Sequence, residues 1–215
     1  MVNWWLQDIN VLNMMKPLIK PGIFLLCLIP LALGVWDGFT DQLGANPIEA
    51  ITHRTGDWTL RLLLITLAAT PARRLFGWAW PLRVRRMLGL YAFFYACLHF
   101  LTYFVLDQFF DWDEIFKDII KRPYITIGFG AFIMLVPLAA TSTNAMMRRL
   151  GKRWGQLHQL VYVIAVFGIL HYFWLVKADY LLPLIHAAIL LALLLVRVWY
   201  QRQAVSIRRA VSHSH

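Results

Sequence analysis

Residues 154–176 read WGQLHQLVYVIAVFGILHYFWLV, a run with no Asp, Glu, Lys or Arg. As a helix rising 1.5 Å per residue it is about 35 Å long, enough to cross a hydrocarbon core about 30 Å thick. It carries His158 near its start and His171 near its end, about 20 Å apart along the axis, so one span offers an imidazole in each leaflet. Polar side chains are costly inside a bilayer, which makes each of these histidines a functional candidate by default.

Five further apolar runs lie outward from this one, at 21–36, 56–72, 85–106, 124–141 and 180–199. Of the 215 residues 60% are hydrophobic and only 15% charged, with a mean hydropathy of +0.59, too apolar for a soluble globule. The expected fold is all-α: a polytopic membrane bundle of six transmembrane helices in one domain over 1–215. The second and fourth runs are short, placing Thr55 or Pro123 near an interface. Lys16 and Lys20 precede the first run as they would a signal peptide, but no small-x-small cleavage pattern follows, and it is read as a span. Cys27 and Cys97 lie in different runs without C-x-x-C spacing, as packing residues do. No internal repeat is evident.

The net charge of +10 does not point to nucleic acid, because the basic residues sit in short clusters beside apolar runs and form no basic face or arm. Lys16 and Lys20, Arg73 to Arg86, Arg148 to Arg153, and Arg197 to Arg209 all fall on one side of a six-span topology. Ten of the eleven acids, Asp107, Asp111, Asp113, Glu114 and Asp118 among them, fall on the other. By the positive-inside rule both termini are cytoplasmic: segment 1–20 and tail 200–215. Trp36, Trp58, Trp112 and Tyr124 mark span ends as interfacial anchors.

The third and fifth spans run the same way, so depths along them compare directly. His99 lies about 14 residues above the basic start of its span and His171 about 17 above Trp154, which lets the two meet near the outer leaflet. Two opposed neutral imidazoles are good axial ligands for haem iron and leave no open coordination site, as electron transfer requires. A helix-to-helix hydrogen bond is the alternative use of such residues. On an ideal helix His158 and His171 are about 140° apart around the axis, so serving stacked sites needs tilt, long side chains or a distortion near Gly168.

His158, in the inner leaflet, has no histidine partner. The residue 14 below His99 on nearly the same face is Arg85, a poor iron ligand that stays protonated but clamps haem propionates or a flavin phosphate well. The inner site is open between a weaker haem, a five-coordinate haem and a nucleotide cofactor. Arg83 reads as a topology determinant. Arg61, inside the second span, is placed to meet an outer propionate or to pair with Asp57 one turn earlier. His53 and His186 lie near outer ends, where interfacial or docking roles compete with ligation; His213 and His215 belong to a solvated tail.

Four stretches, HRTGDW at 53–58, RRMLGLYAFFYACLHF at 85–100, TSTNAMMRRLGKRWGQLHQLVY at 141–162 and ILHYFWLVK at 169–177, together resemble the ferric-reductase-like transmembrane family. Within it they are most similar to a bacterial branch of haem-binding subunits. The resemblance implies that His99, His158 and His171 ligate haem b, one or two per chain, and that FMN is a further candidate cofactor. It implies an inner-membrane electron carrier delivering to a periplasmic molybdopterin-containing subunit that reduces methionine sulfoxide in proteins. Other relatives, such as NADPH oxidases, carry four ligand histidines in two pairs; here Arg85 holds the fourth place. Those relatives also append flavin and nicotinamide domains. No Gly-rich dinucleotide fingerprint follows a strand here, so the expected donor is a separate cytoplasmic flavin reductase or quinol.

The chain is therefore expected to be an electron-transfer subunit of an oxidoreductase without a substrate site of its own. A stand-alone quinol-oxidising or ferric-reducing cytochrome b is the nearest rival. A proton-coupled transporter, with histidines as proton relays, would show Gly/Pro-broken helices in repeated halves, and these are not visible.

Overall fold

Backbone amides and carbonyls inside a bilayer must pair within their own segment, and apolar runs of this length do so as helices. The computed structural model describes residues 18–176 and 178–212, and side chains as far as residue 203. Lys16, Lys177, His213 and His215 lie outside the described residues. Among the described residues nine α-helices in chain order are α1 (Ile19–Phe39), α2 (Pro47–Phe76), α3 (Trp80–Leu101), α4 (Trp112–Lys121), α5 (Pro123–Ala140), α6 (Asn144–Leu150), α7 (Lys152–Leu157), α8 (Leu160–Leu175) and α9 (Leu181–Ser212). A π-helical segment, Thr102–Asp107, prolongs α3. There is no strand among the described residues. The protein is an all-α, multi-pass membrane protein.

Two compact units divide the chain, Met1–Ile51 and Thr52–His215. In the first, α1 ends where the Thr40 amide and hydroxyl both donate to the Trp36 carbonyl. Asn46 caps the start of α2, accepting from the Glu49 amide at 3.3 Å and donating to its carboxylate at 3.0 Å, a reciprocal pairing that satisfies an orphan donor of the first turn.

The first, third, fourth and fifth predicted spans keep their places within a few residues, while the second proves much longer than 56–72 and the sixth continues past 199 to Ser212. Five stretches are long and apolar enough to cross a membrane: α1, α3 with its π-helical end, α5, α7 with α8, and α9. The 30-residue α2 carries Glu49, Arg54, Asp57 and Arg61 and is less apolar. Its interior explains why. Leu60, Leu62, Leu63, Leu64 and Leu67 are all buried while Ile65 is exposed, so most of the helix surface faces protein and a narrow strip does not. A helix covered by protein over most of its surface needs little lipid-compatible face. Around it the neighbours expose leucines such as Leu184, Leu191 and Leu195, as lipid-facing surfaces do. Helices α5 and α8 pack along their lengths, α9 packs on α8, and α5 also meets α3 through stacked phenylalanines, Phe100 on Phe132 at 4.9 Å and Phe93 on Phe132 at 6.2 Å.

Two features depart from the expected spans. At the acid-rich end the π-helical segment runs into Phe109 and Phe110, both left-handed at φ 46° and 63°, a conformation costly for residues with a Cβ. The chain then enters α4, which begins on Asp111, whose carboxylate accepts from the Glu114 amide at 3.1 Å. Ile115 and Asp118 face the protein, Trp112, Phe116 and Ile120 are exposed, and Asp113, Glu114, Lys117 and Lys121 occupy the remaining arc. Asp118 is 4% exposed; it pairs with Arg122 at 2.9 Å and accepts from the Tyr103 hydroxyl at 3.3 Å. Arg122 immediately precedes α5, so this cluster ties the end of the π-helical segment to the start of the next span.

The fifth span, meanwhile, is broken. α7 ends at Leu157, His158 and Gln159 form a turn, and α8 continues unbroken through Gly168. The distortion expected near Gly168 therefore lies at His158 itself.

Candidate functional site

Four helices converge on two imidazoles at the acid-rich end. α3 carries His99 and α8 carries His171, and their rings face each other edge to face, centres 5.9 Å apart and planes at 82°. Each Nδ1 is held by a main-chain carbonyl at the start of another helix. His99 Nδ1 donates to Thr52 O on α2 at 2.9 Å, and His171 Nδ1 to Tyr124 O on α5 at 2.7 Å. A carbonyl can only accept, so in both rings the proton resides on Nδ1 and Nε2 keeps its lone pair. Hydrogen bonds of this kind orient an imidazole and raise its basicity.

One turn beyond each carbonyl lies a glycine facing the same ring. A Cβ on Gly56 would sit 3.0 Å from His99 Cε1, and one on Gly128 would sit 2.6 Å from His171 Nδ1. The two half-sites share one register: the histidine follows its carbonyl acceptor by 47 residues in each case, and each glycine follows that carbonyl by four. No repeat is visible in the letters of the sequence, yet the geometry repeats, because a backbone acceptor and a missing side chain leave almost no trace in residue type.

The basic end is different. His158 Nδ1 bonds the Trp154 carbonyl of its own turn at 3.0 Å, and the Trp154 indole stacks on its ring at 3.9 Å while donating from Nε1 to Thr141 O at 3.0 Å. His158 Nε2 is buried and makes no hydrogen bond. Leaving such an atom unpaired is costly, so this nitrogen could hold a cofactor. Among the described residues no second histidine comes to His158. Arg85 stands within electrostatic reach of it but leans on the Thr70 hydroxyl at a long 3.5 Å. Neighbouring Arg86 bonds the side chain of Asn144.

The remaining candidates disperse. Arg61 pairs with Asp57 at 3.1 Å and lies over the Trp58 ring, the second of the two uses expected for it. His186 is buried, bonds the Leu182 carbonyl of its own turn at 2.7 Å and meets the Tyr172 ring edge-on. His53 is exposed. Sequence reasoning missed Thr52, Gly56, Tyr124 and Gly128. Of these, Gly56 lies inside the HRTGDW stretch, and the others carry no signal by residue type. Among the described residues no cluster of three or more His, Cys, Asp or Glu could hold a metal ion directly.

Fold and site together define a multi-pass helical membrane protein with intramembrane imidazoles that could hold a cofactor. The description "Ferric reductase like transmembrane component" matches residues 55–169. A Herminiimonas arsenicoxydans protein named "Protein-methionine-sulfoxide reductase heme-binding subunit MsrQ" is 56% identical over 91% of this chain and 91% of its own. Proteins of the same name from Rhodospirillum rubrum (59%, covering 82% of this chain and 86% of that one) and Ralstonia nicotianae (54%, 85% of each) are similar. No solved structure matches. The chain belongs to the ferric-reductase-like transmembrane family, alongside the MsrQ proteins.

Proposed function

We propose that this chain is the haem-binding electron-transfer subunit of a protein-methionine-sulfoxide reductase system in a bacterial inner membrane, both termini cytoplasmic. The observation that carries the reading is the His99–His171 pair. Their ring centres are 5.9 Å apart with each Nδ1 proton held on a carbonyl, so His99 and His171 would hold haem b between them. Bound there, an iron porphyrin supplies reversible one-electron chemistry. The chain's own part is to hold each Nδ1 proton on a carbonyl, aim each Nε2 lone pair, and exclude water with the leucines of α2. The relatives' printed names and the clustering of Lys and Arg on one side support the haem assignment and the orientation respectively.

His158, with its unpaired Nε2, is the ligand of a second site. Arg85 would meet the anionic part of that group there, a haem propionate or the phosphate of FMN. Electrons enter from a cytoplasmic flavin reductase or quinol and leave to a periplasmic molybdopterin-containing subunit of the MsrP type. The chain has no substrate site of its own in this scheme. A reduced-minus-oxidised spectrum of the purified protein tests it. Low-spin b-type bands that weaken in His99→Ala are expected; a colourless, folded native protein overturns it and leaves the transporter.

A further inference from the structure

At the basic end of the bundle two arginines lie on aromatic rings beside an apolar cleft. The cleft is a shallow surface crevice lined by Leu67 and Pro71 of α2, Tyr162 of α8, and Leu193, Leu194 and Arg197 of α9. Arg197 lies over the Tyr162 ring at 4.6 Å and so forms one wall. One turn beyond Pro71, Arg74 lies over the ring of Tyr200 at 5.3 Å, and the Tyr200 hydroxyl returns a hydrogen bond to the Arg74 carbonyl at 3.3 Å. Pro71 and Arg74 thus face Arg197 and Tyr200 across two helices, each pair three residues apart.

Among the described residues neither guanidinium has a carboxylate partner. The rings hold them by cation–π attraction, which leaves their N–H edges available. Topology alone asks only for a positive charge at a span end, and a long side chain would snorkel to the surface to supply it. Arg197 instead is half-buried at the mouth of a crevice walled by leucines. Positive charge at the mouth and aliphatic wall below match an amphiphile with an anionic head and one hydrocarbon tail.

We propose that the cleft between α2 and α9 binds an anionic phospholipid, its phosphate on Arg74 and Arg197 and one acyl chain against Leu67, Pro71, Leu193 and Leu194. Nothing in this depends on what the histidines hold. The test uses the full chain, purified and delipidated in detergent, with added dioleoyl phosphatidylglycerol, dioleoyl phosphatidylcholine or inorganic phosphate. Phosphatidylglycerol should raise the melting midpoint by about 5 °C over phosphatidylcholine, and native mass spectrometry should show it retained. The increment should vanish in the Arg74→Gln/Arg197→Gln double variant, and in Leu194→Trp, which fills the cleft and keeps both arginines. It should persist in Arg83→Gln, an exposed arginine at the same end. An undiminished increment in the double variant, equal stabilisation by both lipids, or the same rise with inorganic phosphate overturns the proposal. The double variant alters two polar side chains at the rim, so it alone suffices should Leu194→Trp fail to fold.

Discussion

Gly128 and His171 approach so closely that a Cβ on the glycine would lie 2.6 Å from Nδ1, 2.9 Å from Cε1 and 3.1 Å from Cγ of the ring. Real Cβ atoms do not make such contacts, so Gly128→Ala must push the imidazole away from the Tyr124 carbonyl or push α5 away from α8. Gly56→Ala meets His99 less severely, at 3.0 Å, and Gly130, two residues along α5, has nothing within 4 Å. Absorbance of the haem bands per protein should therefore fall most in Gly128→Ala, less in Gly56→Ala, and not at all in Gly130→Ala. Equal behaviour of Gly128→Ala and Gly130→Ala would mean that the ring is not a ligand held in place.

His99 and His171 should be equivalent in their loss. On the proposed reading either alanine variant removes one of the two rings that would hold the haem and should remove the same low-spin signal to the same extent, with no further loss of it in the double variant. His186→Ala removes a ring bonded to its own helical turn and should leave the spectrum as it was. Full retention of the signal in His171→Ala would break the pairing.

Asp118 is expected to matter for stability more than for colour. Its carboxylate accepts from Arg122 and Tyr103 in a buried position, and truncation to alanine leaves the Tyr103 hydroxyl without that acceptor. The cost should be about 1–3 kcal/mol, read as an earlier thermal midpoint. Arg122 is half-exposed and regains water, which keeps the loss at the lower end. Asp118→Asn retains an acceptor and should lose less. A midpoint unchanged in Asp118→Ala would show that the link between the π-helical segment and α5 holds without it.

Arg61 offers a sharper choice. If its role is the pair with Asp57, Arg61→Gln should cost no more than about 1 kcal/mol, since both side chains are part-exposed and such pairs are weak. The midpoint potential of the haem beside His99 should then stay put. A large fall in that potential on loss of the positive charge would instead place Arg61 against a propionate.

Hydropathy and charge carry most of the fold, because a bilayer leaves few structures to an apolar run of twenty residues. They understate α2, whose leucines are enclosed by other helices and whose charges need not be hidden from lipid. They also leave α4 unmarked as a helix, although Asp111 followed by Glu114 is a legible helix start. The three histidines stand out because imidazole is rare and costly in a membrane. The break at His158 does not, since WGQLHQLV contains no proline to announce it. The register relating Thr52, Gly56 and His99 to Tyr124, Gly128 and His171 is similarly silent: two of its three members act through a main-chain oxygen or an absent side chain.

Main-chain oxygens anchor both rings, and this limits what mutagenesis can reach. Replacing Thr52 or Tyr124 changes a side chain and leaves the acceptor oxygen where it was, so an alanine scan will pass over both positions. The basicity of the two imidazoles is governed by how α2 and α5 are seated along their axes, where a slip of one residue moves an oxygen by about 1.5 Å. Electronic tuning in this protein is thus a matter of helix placement, inherited from packing far from either ring.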